Sequence, residues 1–231
     1  MAAVLHLGAT ALTTDVSSYA SATFAPTVGD LLVVIVAVSD STAAAPTMVE
    51  SAGGGTYSLI GTPALWQASA GRLLMFVRNT VCETNTTRTF TFGTSDAGTG
   101  CVIAIARVTG MFRAGLFAIR QSDPTDNGAG GTAPNTVFPA VALTGNACIA
   151  AAANLANPAT MTAPASFTER VDTGFATPTA GLEYASRDSG HTSATITWGA
   201  TSATAWGAFS IELDATVPPG FLQRRGPNYR R

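Results

Sequence analysis

The chain has 231 residues, enough for one large β domain or two small ones to bury a core without disulfide or metal staples. Charged residues make up 11% and mean hydropathy is +0.27, a balance that suits a surface covered by neighbours better than a free-floating protein. The net charge is −2 and all twelve basic residues are Arg, so composition speaks against a nucleic-acid-binding face.

In chain order, Val4–Gly8 reads as an edge strand, and Tyr19–Phe24 alternates large and small as a half-buried strand does before Pro26 stops it. Leu31–Val38 is an unbroken apolar, mostly β-branched run between Gly29-Asp30 and Ser39-Asp40, which is how a strand buried on both faces reads. It is too short to span a bilayer, which takes roughly 20 apolar residues. Pro46 and Gly53–Gly55 bracket a loop, Tyr57–Ile60 is a short strand and Gly71–Arg78 a longer one. Thr87–Phe92 has period 2, which reads as aromatic inward with Thr or Arg outward. Cys101–Val108 is a second apolar run.

The same programme then repeats in the same order. Thr144–Ala150 parallels Val28–Val34, Phe167–Gly174 parallels Tyr57–Thr62, and Gly181–Arg187 parallels Gly71–Val77. Thr195–Gly199 parallels Thr89–Gly93, and Ala205–Leu213 parallels Gly100–Val108. Ala150–Ala153 tempts a helix but occupies the slot of the central run and is read as strand. Chance similarity between two sets of β-strands is the alternative to duplication. The expected fold is all-β, an antiparallel β-sandwich of jelly-roll type over residues 1–215, with pseudo-repeats of about 1–110 and 111–215.

Residues 216–231 read as an extended arm, because Pro218, Pro219 and Gly220 forbid a continuing central strand. Phe221, Leu222 and Tyr229 are its candidate anchors, and Arg224, Arg225, Arg230 and Arg231 its charge. The rest of the chain holds eight Arg against fourteen acids, a net of −6, so the arm is expected to dock on an acidic neighbour if it is more than a solvated terminus.

The sequence offers little chemistry. His6 and His191 lie far apart without an acid or Cys at ligand spacing, and no GxSxG, HExxH or P-loop occurs. Asp123-Pro-Thr-Asp126-Asn127-Gly128 departs from calcium-loop spacing and reads as a turn linking the halves. Cys82, Cys101 and Cys148 are odd in number, lack CxxC spacing and read as buried free thiols from a reducing compartment. Trp66 follows Pro63 in an apparent loop and, with Tyr57, is the place for a sugar-stacking platform that would bind a surface glycan, whereas Trp198 and Trp206 read as core. No catalytic, cofactor or metal residue is assigned, and no membrane contact is expected.

Val4–Gly8, the Thr/Ser-rich strand after it, Pro26-Thr-Val-Gly-Asp-Leu-Leu-Val-Val34, Gly71–Arg78, Thr87–Gly93, the run ending Ala106-Arg-Val-Thr-Gly110, and Trp206–Asp214 together resemble small virion proteins of tailed bacteriophages. The likeness covers roughly residues 1–215, and Gly-Asp-Leu-Leu-Val also occurs in secreted bacterial sandwich modules. It implies a jelly-roll-like, non-enzymatic virion component: a capsid decoration or cement protein, with a tail, neck or fibre protein and a carbohydrate-binding or adhesion module as alternatives. The implied partners are the major capsid protein or other virion proteins and further copies of this chain. The implied setting is assembly in host cytoplasm without a signal peptide. The Arg-rich arm departs from the short ending of that group.

Overall fold

The computed structural model describes residues 1–40, 45–66, 70–131, 133–156, 161–199 and 204–215. In the first half the strands are β1 (Ala3–Leu12), β2 (Val16–Ala20), β3 (Leu31–Val38), β4 (Thr47–Glu50), β5 (Tyr57–Leu59), β6 (Ala64–Trp66), β7 (Gly71–Arg78), β8 (Phe90–Gly98) and β9 (Cys101–Thr109). A 3-10 turn, Gly115–Ala118, leads into the second half: β10 (Ile119–Gly131), β11 (Asn135–Val137), β12 (Ala147–Asn154), β13 (Thr168–Ala176), β14 (Thr179–Arg187), β15 (Thr195–Thr197) and β16 (Thr204–Leu213).

The main sheet of the first half runs β1-β9-β3-β7-β5, with β6 also on β7, and that of the second half runs β10-β16-β12-β14-β13. Apart from β6, each strand has its counterpart in the same place, and every pairing is antiparallel. The fold is an all-β sandwich in which the two halves pack their main sheets face to face. Each main sheet is covered on its other side by a small one, β2-β8-β4 in the first half and β11-β15 in the second, giving four layers.

β3 shows why its sequence has no polar alternation. Leu31, Val33, Ile35 and Ala37 enter the core between the main sheets, while Leu32, Val34, Val36 and Val38 enter the core under β2-β8-β4. β12 is the counterpart, with Ala147, Ile149, Ala151 and Ala153 inward and Cys148, Ala150 and Ala152 against β11-β15. Its alanines leave room that Tyr184, Phe175 and Phe209 fill on one face and Trp198 and Trp206 on the other. Packing between two sheets thus overrides the helix preference of an Ala run.

Four expectations need correction. Arg88 points inward with Phe90 and Phe92 and is buried, because period 2 puts positions 88, 90 and 92 on one face and Glu50 waits there to pair with it. Trp66 is a fully buried residue of β6 inside the central core, and Tyr57 gives its hydroxyl to Glu50, so neither forms a sugar-stacking platform. Residues 123–128 are not a linking turn but part of β10; Pro124 is tolerated because β10 is the edge strand of its sheet. Finally, Val33 faces Val77 as Ile149 faces Ser186, so Arg187 is the counterpart of Arg78, one residue away from the match suggested by Gly71 and Gly181.

Cys82, Cys101 and Cys148 are free and buried. Burial pushes Cys101 well above the ordinary thiol range and Cys148, with help from Glu212, up to about 12. A thiol reagent applied to native protein at neutral pH should therefore leave all three unmodified while labelling the denatured chain. Rapid native labelling would mean that the strands around them open.

Candidate interaction site

Three places on the molecule concentrate polar or exposed apolar groups beyond what the core requires. The first is a buried cluster in the first half. Glu50, at the end of β4, accepts hydrogen bonds from Arg78 Nη2 at 3.0 Å, Arg88 Nη1 at 3.1 Å, Gly55 N at 2.6 Å and Tyr57 Oη at 2.8 Å. Burial alone would raise the Glu50 pKa, but the bonds from Arg78, Tyr57 and Gly55 outweigh it and hold the carboxyl below its ordinary value. The loop over the cluster must carry glycine: a Cβ on Gly53 would run into Arg88, and one on Gly55 into Arg78 and Glu50.

The second is a cleft of about 420 Å³ in the second half, lined by Phe167, Arg187, His191, Ser193, Thr195 and Thr197 among others. Arg187 gives its Nε to Ser189 O at 2.9 Å and forms no ion pair among the described residues. His191 is buried, with its ring edge-on to Phe167 at 5.5 Å and its Nε2 without a hydrogen-bond partner. Burial and then the nearby Arg187 lower its pKa, partly offset by Glu212, so the imidazole is neutral at pH 7.

The third is an apolar band at the start of β10. Phe112, Leu116 and Phe117 lie on and before the 3-10 turn, Val137 ends β11, and Val141 and Leu143 follow it; all six are exposed, Phe117 by 84%. The two groups flank one stretch of strand, since Asp123 accepts from Val137 N, Gln121 exchanges hydrogen bonds with Ala140, and Arg120 reaches Val141 O. Glu212, fully buried beneath, accepts from Arg120, Gln121, Leu143 N and Asn146 and fixes the segment in place. This band was not legible beforehand, because residues 111–143 carry no clear strand period and only the register of β10 brings the two groups together.

The other candidates from sequence fall elsewhere. His6 Nδ1 and Tyr184 Oη are hydrogen-bonded at 3.0 Å, and burial and Arg170 lower the His6 pKa. Among the described residues no group of three or more His, Cys, Asp or Glu could hold a metal ion. Among the described residues no helix is long and apolar enough to cross a membrane. The arm residues Phe221, Leu222, Arg224, Arg225, Tyr229, Arg230 and Arg231 lie outside the described residues.

Glu183 is a buried acid that the sequence reading overlooked. It faces Ala152 and Asp172 across the ladders of β14, and neither carboxyl oxygen has a hydrogen-bond partner. Burial first, then Glu169 and Asp172, push its pKa up to about 8 from 4.5. The folded state therefore holds a proton that the unfolded chain releases above pH 4.5, and stability falls as pH rises from about 4.5 to about 8. Glu183→Gln should flatten that slope and raise stability at pH 7 by on the order of 3 kcal/mol, read by denaturant unfolding at pH 5 and pH 7. An equal slope in both proteins would show the carboxyl to be ionised in the fold.

No family model matches this sequence, and no characterised protein is similar enough to stand as a relative.

Proposed function

We propose that the chain is a structural, non-enzymatic component of a bacteriophage virion, a jelly-roll-like capsid decoration protein that stabilises the particle through contacts with the major capsid protein and with its own copies. The observation that carries this reading is the band of Phe112, Leu116, Phe117, Val137, Val141 and Leu143, six exposed apolar side chains gathered on one edge of the sandwich. Exposed apolar side chains flanking one edge strand from both sides are costly in water and mark a surface meant to be covered. The low charge, the absence of Lys, the buried free thiols and the resemblance of residues 1–215 to small virion proteins support the same assignment. The buried charged clusters around Glu50 and Glu212 are closed by internal partners, as rigid scaffolding requires.

Mass spectrometry of purified particles with copy-number calibration tests it. Copy numbers comparable with the major capsid protein support a decoration role, a few copies per particle move the protein to the tail or neck, and absence from particles overturns the proposal. The Arg-rich arm gives a second reading of the same experiment. A chain lacking residues 217–231 should unfold thermally like the full chain yet fail to enter particles, through loss of charge-assisted contacts from Arg224 and Arg225 and of the Phe221 anchor. Full incorporation of the truncated chain would leave the apolar band as the sole attachment surface.

A further inference from the structure

Matched by ladder register, the two halves differ most at one place. In the first half β4 pairs with β8, with Thr47 facing Gly93 and Glu50 facing Phe90. In the second half Gly199 N donates to Thr162 O at 2.7 Å, and a Cβ on Gly199 would run into Thr162 just as one on Gly93 would run into Thr47. Thr162 therefore begins the counterpart of β4. It does not continue: Pro164 has no N–H to give, Phe167 N donates back to Pro164 O, and Ser166 takes φ 65 to close the turn.

Tyr57 faces Arg78, and Phe167, one residue before the Thr168–Ser186 pair, takes the same place beside Arg187. The path from Thr162 to Phe167 is five residues shorter than that from Thr47 to Tyr57. The five missing residues fall within Glu50–Gly55, the carboxylate and glycine loop that cover Arg78. The second arginine is missing too, since Phe138 N bonds Ala194 O where Phe24 N bonds Arg88 O. The cleft over Arg187 is the space this shortening leaves.

Its chemistry matches the missing piece. Arg187 keeps its place but has no carboxylate, and no Asp or Glu occurs in the segments outside the described residues to supply one. Among the described residues β15 ladders with β11 alone; on its other edge Thr195 N is held by Ser193 Oγ at 3.0 Å, which leaves Thr197 to present a strand edge to the cleft. The unpartnered Nε2 of buried His191 belongs to the same lining.

We propose that this cleft docks an extended acidic segment of a partner protein, whose carboxylate pairs with Arg187 as Glu50 pairs with Arg78 and whose backbone adds to the open edge of β15. The first half carries the occupant within its own chain; the second half takes it from outside. The basic arm of a second copy has the wrong charge for this site.

A labelled peptide copying Val49–Thr56 is the probe, with fluorescence anisotropy on the full chain as the readout. It should bind, and binding should weaken about tenfold or more for the Glu50→Gln peptide and for Arg187→Met protein, and less for Arg187→Lys, which keeps charge without the fork. Thermal unfolding of both protein variants should match the parent, which separates loss of binding from loss of fold. Absent binding, or equal binding to Arg187→Met, overturns the proposal. Acetate binding at Arg187 without peptide binding would reduce the cleft to a small-anion site. Arg187-dependent self-association without peptide binding would make the occupant a second copy; either result also overturns it.

Discussion

Replacing Val34 by Asp should leave no soluble, cooperatively folding protein. Val34 sits at the middle of β3, between β9 and β7, and faces Ile105 and Phe76 across the two ladders. Its side chain is fully buried in the core that joins the main sheet to Phe90 and Phe92 of the small one, together with Ile103. The buried guanidiniums on that side, Arg72, Arg78 and Arg88, are already paired with Asp40 and Glu50. An ionised Asp there would be buried and unpaired, and even a protonated one would lack hydrogen-bond partners, a loss of about 5 kcal/mol or more. Because domains of this size hold only about 5–15 kcal/mol in total, the variant should accumulate as aggregate and show no cooperative transition by circular dichroism. Val34→Ala, which leaves a cavity but no charge, should fold with a loss of about 1–3 kcal/mol. A soluble Val34→Asp protein with a sharp transition would show that β3 is not central to the core.

The second large effect concerns Glu50. Removing its carboxylate strands the Arg78 and Arg88 guanidiniums, whose side chains are 2% and 0% exposed. Breaking one partner out of a buried ion cluster costs about 3–5 kcal/mol, because the remaining charges lose their compensation without regaining water. Glu50→Ala should show that loss in denaturant unfolding and should also loosen the Ser51–Thr56 loop, since Gly55 N and Tyr57 Oη lose their acceptor. The pH dependence follows in sign. A carboxyl held below its ordinary value contributes stability that is fully present above pH 4.5 and is lost as pH falls through the lowered value. Glu50→Ala should therefore be less sensitive to acid than the parent. A loss under about 1 kcal/mol would mean that the two arginines find other acceptors; Arg78 already reaches Thr80 O, Val81 O and Gly53 O, and Arg88 reaches Thr84 O and Thr86 O.

These residues also mark where sequence reading succeeded and failed. Leu31–Val38 and Cys101–Val108 could be placed from sequence because a strand buried on both faces needs an uninterrupted apolar run, which is a local signal, whereas Ala150–Ala153 and Ala205–Leu213 were placed by their correspondence to the first half. The order of the second half against the first was also readable, since Gly29-Asp30 and Gly145-Asn146 precede the central strand in the same way and the turn residues recur. What composition and period could not supply was partner identity. Residue type alone places Arg88 in solvent because charge is usually exposed, and only the fold brings Glu50, 38 residues away, to its side. Trp66 looked like a loop residue after Pro63, and only the pairing of β6 with β7 turns it into the core.

The cleft over Arg187 belongs to the same class. Sequence alone set two similar strand programmes, the apolar runs at their centres and the free thiols, because each follows from residues adjacent in the chain. Tertiary structure alone decided that the two programmes pack as halves of one four-layer sandwich, that Arg78 finds a carboxylate within its own half and Arg187 does not, and that six apolar side chains from two segments share one edge. Each depends on which strands become neighbours, and burial, register and charge pairing between strands far apart in sequence are set by packing and not by local pattern.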